Sequence, residues 1–238
     1  MSARSGRHSP ETRARILDAA EALFVEHGLD GTSMRMITGR AGVNLAAVNY
    51  HFGSKESLIK EIFERRGGAL NQRRLEALDQ AIANARQSRR PMPPSQVLEA
   101  FFRPALELAV DTEQGGHRFM RLLGRTHVET NPFMRSLLAE LYDETLTRFR
   151  NALCEALPAV PCEEILWRFH FMIGATSYAI AGTDNLQMFG GRFEHQDPSR
   201  LIPRLMSFLL GGLRAPLPTF SASRERRAGK PGARDVAA

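Results

Sequence analysis

The 238-residue chain is poor in the residues that fasten small folds and mark many chemistries, with two cysteines, one tryptophan and three tyrosines. Cys154 and Cys162 are too few for a disulfide framework, and nothing near them has the spacing of a metal site. Long apolar runs are missing as well. The most apolar stretch, 165–182, is interrupted by Arg168 and His170, which argues against a membrane span. The charges near Met1 are followed by no apolar stretch of the kind a signal peptide needs, so a cytoplasmic protein is expected. No window alternates apolar and polar residues between turn signals, so no strand is predicted, and no internal repeat is found. A helical enzyme would need convergent titratable groups, and none are apparent. No catalytic residue, metal or cofactor is therefore expected.

What the chain does have is an ordinary globular composition, enough length to bury a core, and a formal charge of +6. That charge is unevenly placed. From Arg214 onward there are six Lys/Arg against Glu225 and Asp235, while residues 1–60 hold eight Lys/Arg against six Asp/Glu. A solvated, disordered tail is the plain reading of the first excess, and a polyanionic partner the sharper one.

Helical periodicity runs almost throughout. Residues 1–9 are polar, basic and Gly/Ser-containing, a flexible arm. Pro10-Glu11 opens a helix whose stripe is Ile16, Leu17, Ala20, Leu23 and Phe24, and Gly28 is expected to end it. Ser33 can cap a short second helix with Met36, Ile37 and Ala41 inward, and Gly42 supplies a left-handed turn. Asn44 can cap a third helix at 45–52, and a fourth runs from Lys55 towards Leu78 or beyond. After the Pro-rich "RQSRRPMPPS", helices are predicted at 97–110, 118–128, 132–157, 163–181 and 198–213. Loops are marked by Gly115-Gly116, Asn131-Pro132, 158–161 and Gly190-Gly191. The fold class is all-α. An N-terminal three-helix domain occupies 10–68, a larger helical bundle 69–213, and a basic disordered tail 214–238.

Two short helices joined by a Gly turn, the second presenting small and polar residues, make a helix-turn-helix. A helix entering a major groove about 12 Å wide must expose a slim face able to hydrogen-bond. Leu45, Ala46 and Ala47 offer a narrow leading end, and Asn44 and Asn49 can reach bases or phosphates. Tyr50, His51 and Lys55 can hold the backbone, with Ser33, Arg35 and Arg40 as further candidate contacts from the second helix. Val48 and Phe52, four apart, anchor the reading helix to its neighbours. His51 lacks a nearby nucleophile or triad-like carboxylate, so a phosphate contact is expected of it rather than catalysis.

The stretch "TSMRMITGRAGVNLAAVNYHFGSKESLI" resembles the DNA-binding domain of the TetR family of bacterial transcription regulators. The resemblance covers roughly 12–63: a helix ending in "LFVEHG", then "TS", "AGV", "HF" and "SKE" at the family's spacing. There are departures. The family commonly has Ala where Thr38 stands, Gly where Ala46 stands and Tyr where Asn49 stands. A tyrosine-to-phosphate contact is therefore not carried over to Asn49. The "VNLAAVNYHFGSK" variant is similar to a fatty-acid-responsive branch of the family. The resemblance implies a homodimeric repressor on a palindromic double-stranded DNA operator, with a C-terminal pocket whose small-molecule effector changes the spacing of two reading heads. An acyl chain with an acidic or thioester head fits that branch, and an aromatic or drug-like effector fits the same residues almost as well. The rival reading is a non-specific DNA-binding protein driven by its basic arm and tail, which would need no large apolar bundle.

Flexible Met with Phe lines adaptable apolar pockets as well as ordinary cores. The candidate pocket residues are Phe102, Leu122, Phe133, Leu137, Phe169 and Ile173. Arg118, Arg121 and Arg125 share one helical face, either solvated or a cationic mouth for an acidic head group; Arg121 and Arg125 are the candidates for the latter. His170, in an apolar helix, reads as a core or interface histidine. The helix at 163–181 carries too much apolar surface for one buried stripe. Ile165, Leu166, Phe169, Ile173 and Tyr178, with Trp167, Phe171 and Ala175 around the side, join Leu201, Leu205, Phe208 and Leu209 in a candidate four-helix dimer interface. The alternative is a helix buried centrally in the monomer.

Overall fold

The computed structural model describes residues 10–127, 131–180 and 198–219. Among them the chain forms nine helices and no strand: α1 (Pro10–Gly31), α2 (Met34–Ala41), α3 (Leu45–Phe52), α4 (Lys55–Ser88), α5 (Pro94–Val110), α6 (Gly116–Thr126), α7 (Pro132–Ala156), α8 (Cys162–Ile180) and α9 (Pro198–Leu213). The expected arm at 1–9, the Gly190-Gly191 loop, the helix ends at Val128 and Ala181, and the tail from 220 onward lie outside the described residues.

The start signals act as their chemistry requires. Ser33, Asn44 and Ser54 each hold extended backbone and accept a hydrogen bond from the amide three residues on, capping α2, α3 and α4. Gly42 ends α2 at φ 63°, a conformation that costs a residue with a Cβ. α5 and α6 begin at Pro94 and Gly116, before the expected 97 and 118, so Gly116 belongs to the helix and not to the loop, and α1 differs at its end. Gly28 kinks α1 rather than ending it, and the helix resumes to Gly31, with the Thr32 hydroxyl donating to the carbonyls of Gly28 (2.8 Å) and Leu23 (3.1 Å) across the kink. α4 runs beyond Leu78, as expected, and reaches Ser88 because Ala, Asn, Arg and Gln continue the helix and no Gly or Pro intervenes after Leu78.

Two buried clusters organise these helices. The first joins Ile16, Leu17, Leu23 and Phe24 of α1 to Ile37, Val48, Phe52, Leu58, Ile62 and Phe63, and continues into Phe119, Met120, Leu122 and Leu123 of α6 and Met134 and Leu137 of α7. The second joins α4, α5, α7, α8 and α9 through Leu78, Phe101, Phe102, Phe149, Leu153, Ile165, Phe169 and Leu209. Position 68 lies within unbroken α4, and α6 belongs to the same core as α1. The helix-turn-helix thus sits on the C-terminal body through a continuous apolar contact. Gly67 makes part of it possible, since a Cβ there would come within 2.7 Å of Leu141 Cδ2 on α7.

Ion pairs brace the same seam. The buried Glu21 of α1 accepts from Arg65 (3.3 Å) and Arg66 (3.1 Å) of α4. Asn71 Nδ2 donates to the Leu141 carbonyl at 2.9 Å. In the second half, buried Arg168 pairs with Glu164 at 2.9 Å and donates to the carbonyls of Leu213 and Pro216, locking α8 to the end of α9. Cys154 and Cys162 are bonded to each other across the α7–α8 turn. The count that excludes a framework did not exclude this single local link, because eight residues of helix end and turn bring the two Cα atoms within 5.5 Å.

Candidate nucleic-acid interface and ligand cavity

α2 and α3 form the projecting end. On α3, Leu45, Ala46, Asn49 and Tyr50 are exposed, one face of the helix, while Val48 and Phe52 are buried beneath it. Burying each of those anchors contributes about 1.5–3 kcal/mol, enough to hold an eight-residue helix that could not persist alone. Ala47 does not share the exposed face. It is buried with Val48, so the slim leading end consists of Leu45 and Ala46. His51 is half-buried between the rings of Tyr50 (5.3 Å) and Phe52 (6.0 Å).

The polar candidates divide by what already holds them. Asn44 Oδ1 accepts from the Ala47 amide at 2.9 Å, so its amide nitrogen is the part left to reach outward. Ser33 Oγ accepts from the Met36 amide at 3.3 Å, which leaves its hydroxyl proton to donate. Arg35 is exposed on α2, and Lys55 opens α4 beside the reading helix. Arg40 is differently placed. Its Nη1 reaches both Glu26 carboxylate oxygens, at 2.7 and 2.6 Å, and that bond holds Glu26 below the usual carboxylate range. Here Arg40 braces α2 on α1 instead of presenting a charge outward.

Behind this head, α4 to α8 enclose a cavity of about 850 Å³. Of the sequence candidates, Phe102, Arg121, Arg125 and Ile173 line it. Phe169 stands behind the wall, its ring 4.7 Å from that of Phe101 and 5.8 Å from that of Phe102. Leu122, Phe133 and Leu137 belong to the first core, on the faces of α6 and α7 turned away from the cavity. On α6 and α7 the cavity is lined instead by Met120, Leu123, Gly124, Leu138, Tyr142 and Leu146. His170 is not a core histidine. It is exposed, lines the cavity and meets Trp167 edge-on at 6.2 Å, because the α8 stripe packed inward is Ile165, Phe169 and Met172, leaving position 170 outside it.

The three arginines of α6 do not act as one mouth. Arg118 faces a small cleft with Glu26 and Arg40, Arg121 borders both that cleft and the cavity, and Arg125 lines the cavity while Nη1 donates to the Val25 carbonyl of α1 at 2.7 Å. One side chain therefore touches both the cavity and the DNA-reading head.

Sequence reasoning missed the groups deepest in the cavity: Arg74 of α4, Tyr142 of α7, and Thr176 and Ser177 of α8. Ser177 Oγ lies 3.1 Å from His127 Nδ1, and burial, then the charge of Arg74, holds the His127 imidazole below its ordinary pKa. A signal was present. Arg74 lies at i+4 from Leu70 and i−4 from Leu78, inside a buried stripe rather than on a solvated face.

The exposed apolar surface collects on the far side of α8 and on α9. Leu166, Trp167, Phe171 and Tyr178 of α8 and Phe208 of α9 are each 44–67% exposed, whereas Ile165, Phe169, Leu205 and Leu209 are buried within the protomer. The candidate dimer face thus keeps its helices and loses these four of its twelve residues to the protomer core. Among the described residues no helix is long and apolar enough to cross a membrane.

Two family models match the chain. That for bacterial regulatory proteins of the tetR family covers 16–62, and that for the tetracyclin repressor-like C-terminal domain covers 99–212, together about two thirds of the chain. The HTH-type transcriptional regulator AcrR of Shigella flexneri is 32% identical over 114 residues, which are 48% of this chain and 49% of AcrR. The chain thus spans about half the length of that curated relative. Among solved structures, the fatty acid degradation regulator FadR of Bacillus halodurans superposes with a TM-score of 0.63 at 17% identity, over 87% of this chain and 97% of FadR. FadR of Bacillus subtilis, in complex with stearoyl-CoA, superposes at 0.60 and 16% identity, over 84% and 98%. At such identities the structures speak for the fold, whereas the family models speak for kinship at both ends of the chain. The chain belongs to the TetR family of transcriptional regulators, which are DNA-binding proteins and not enzymes.

Proposed function

We propose that this chain is a homodimeric repressor that holds a two-fold operator through the exposed face of α3 and is released when an apolar or amphipathic molecule of the fatty-acid type fills the cavity. One observation carries the reading: α6 is at once a wall of the cavity and part of the core beneath α1, with Arg125 bonded from one to the other. A ligand that displaces α6 would tilt the head it supports. By linkage, such a ligand must bind the DNA-free form more tightly, by about 1–3 kcal/mol in typical coupling.

Pairing of two copies is supported by the α8–α9 face. Trp167, Phe171 and Phe208 expose a contiguous aromatic surface of the kind homodimer cores bury. The fatty-acid class is favoured by the apolar lining, by the head's resemblance to the fatty-acid-responsive branch, and by the stearoyl-CoA held by a structural neighbour. Footprinting on the DNA flanking the gene tests the repressor reading. A protected two-fold site, lost on adding oleate or oleoyl-CoA, is the expected result. Protection without symmetry, spread along any DNA, would favour the non-specific binder.

A further inference from the structure

The inner wall of the cavity holds three polar groups that the described residues leave unanswered. Arg74 is 5% exposed. Its Nε donates to the Phe101 carbonyl at 2.9 Å and its Nη1 to Asn71 Oδ1 at 3.2 Å, and its guanidinium lies 3.9 Å from the centre of the Phe101 ring. No carboxylate among the described residues balances its charge; its nearest titratable neighbour is the Tyr142 hydroxyl, which burial holds above the usual phenol pKa and so leaves neutral. A guanidinium stays protonated at any working pH, so this cation is buried against a π-face and a carbonyl without a counter-ion. The other two groups are hydroxyls. Tyr142 Oη and Thr176 Oγ1 are both buried and both belong to residues lining the same cavity; Thr176 Oγ1 has no hydrogen-bond partner among the described residues, while Tyr142 Oη interacts with the Arg74 guanidinium, a group that can only donate, so the phenol proton is given to no described group. Orphaned buried hydroxyls are uncommon because each forfeits its bonds to water. Here one orphaned hydroxyl and one undonated phenol proton occur in the wall that also holds an uncompensated cation.

Taking the cavity as the effector site proposed above, we infer that its inner end is a receptor for a carboxylate, with Arg74 as counter-ion and the hydroxyls of Tyr142 and Thr176 as donors. The effector is then a free acid that enters head first. Its apolar part lies along Phe102, Met120, Leu138, Leu146 and Ile173. A thioester or methyl ester of the same chain has no carboxylate to offer Arg74. Arg121 and Arg125, being exposed, stand where the outer part of a ligand would pass and not where its acid would rest.

Calorimetric titration of the purified full-length protein with oleate, decanoate and 2-naphthoate, each paired with its methyl ester, and with oleoyl-CoA tests this. The wild type is expected to bind at least one acid tenfold or more tighter than its ester. Arg74→Gln, which keeps a donor for the Phe101 carbonyl while removing the charge, should abolish that preference. Tyr142→Phe and Thr176→Val should each weaken the acid several-fold without weakening the ester. These last two also guard against a folding defect. Thr176→Val deletes an unpartnered hydroxyl, so the melting temperature of the ligand-free protein should hold or rise while acid affinity falls, and Tyr142→Phe keeps the ring in the wall. Equal affinity for acid and ester in the wild type, or a preference that survives Arg74→Gln, overturns the carboxylate receptor. Tight oleoyl-CoA binding that ignores Arg74 but needs Arg121 or Arg125 overturns it too, while leaving the effector reading standing. If no compound in the panel binds in either form, both fall.

Discussion

The two working regions of this molecule satisfy their polar groups in opposite ways. In the head, Ser33, Asn44 and Ser54 each close a helix start, Thr32 closes the kink of α1, and Arg40 is neutralised by Glu26. In the cavity, a buried arginine lacks a counter-ion, the Thr176 hydroxyl lacks a partner and the Tyr142 proton is donated to no group among the described residues. A surface that must enter a DNA groove in one fixed shape gains from being finished before its partner arrives. A cavity that must respond gains from being unfinished, since groups paired only on ligand binding make occupancy and conformation one equilibrium. The seam between them is apolar and continuous, which is what allows one region to act on the other.

Phe63→Ala breaks that seam most severely. Its ring is fully buried, 5.6 Å from Phe119 of α6, and joins the head to the cavity wall. The expected cost is about 3–5 kcal/mol, read as a fall in the denaturant midpoint. A variant that unfolds in two separated steps, head first, would show that the halves are less continuous than described.

Trp167→Glu separates the halves in another way. It alters neither the head nor the cavity lining, yet places a charge on the 52%-exposed aromatic face of α8. A loss of about 2 kcal/mol or more of association is expected, as for an interface anchor. Analytical ultracentrifugation should show monomers with an intact fold, and operator binding should collapse because two heads are no longer tied. A dimer that survives would move the interface elsewhere.

Lys55→Ala is the smallest change and the most specific to the head. Removing one phosphate contact should weaken all DNA sequences alike and reduce the slope of log affinity against log salt by about 0.9. Altered base preference would mean that Lys55 reads sequence instead.

The head was legible because its signals are local. A cap, a Gly turn and a second cap lie within 33–54, so their spacing alone states the helix-turn-helix and its buried anchors Val48 and Phe52. What escaped was rotational detail, such as Ala47 facing inward, and the long-range bond that closes Arg40 on Glu26, fourteen positions away. The cavity was legible only as a class. Its wall is assembled from five helices, and which side of α6 or α7 faces it depends on where α1 docks, which no local pattern states. Leu122 and Leu137 were therefore placed in the pocket when the head claims them. Arg74, Tyr142 and Thr176 were overlooked because "NQRRLEAL", "LYDETL" and "GATSYA" read as ordinary helix surface. Their place in stripes otherwise filled by Leu70 and Leu78, by Met134 and Phe149, and by Phe169 and Met172 was the available clue.

The central claim is that filling the cavity and holding DNA are coupled through α6 and α1. It is tested most directly by fluorescence anisotropy of a labelled operator, titrated with protein at rising concentrations of a cavity ligand, alongside calorimetry of that ligand with and without operator. The account predicts that saturating ligand weakens operator affinity about 5–150-fold, that operator weakens the ligand by the same factor, and that Arg125→Met shrinks both together. A ligand that fills the cavity and leaves operator affinity unchanged would contradict it.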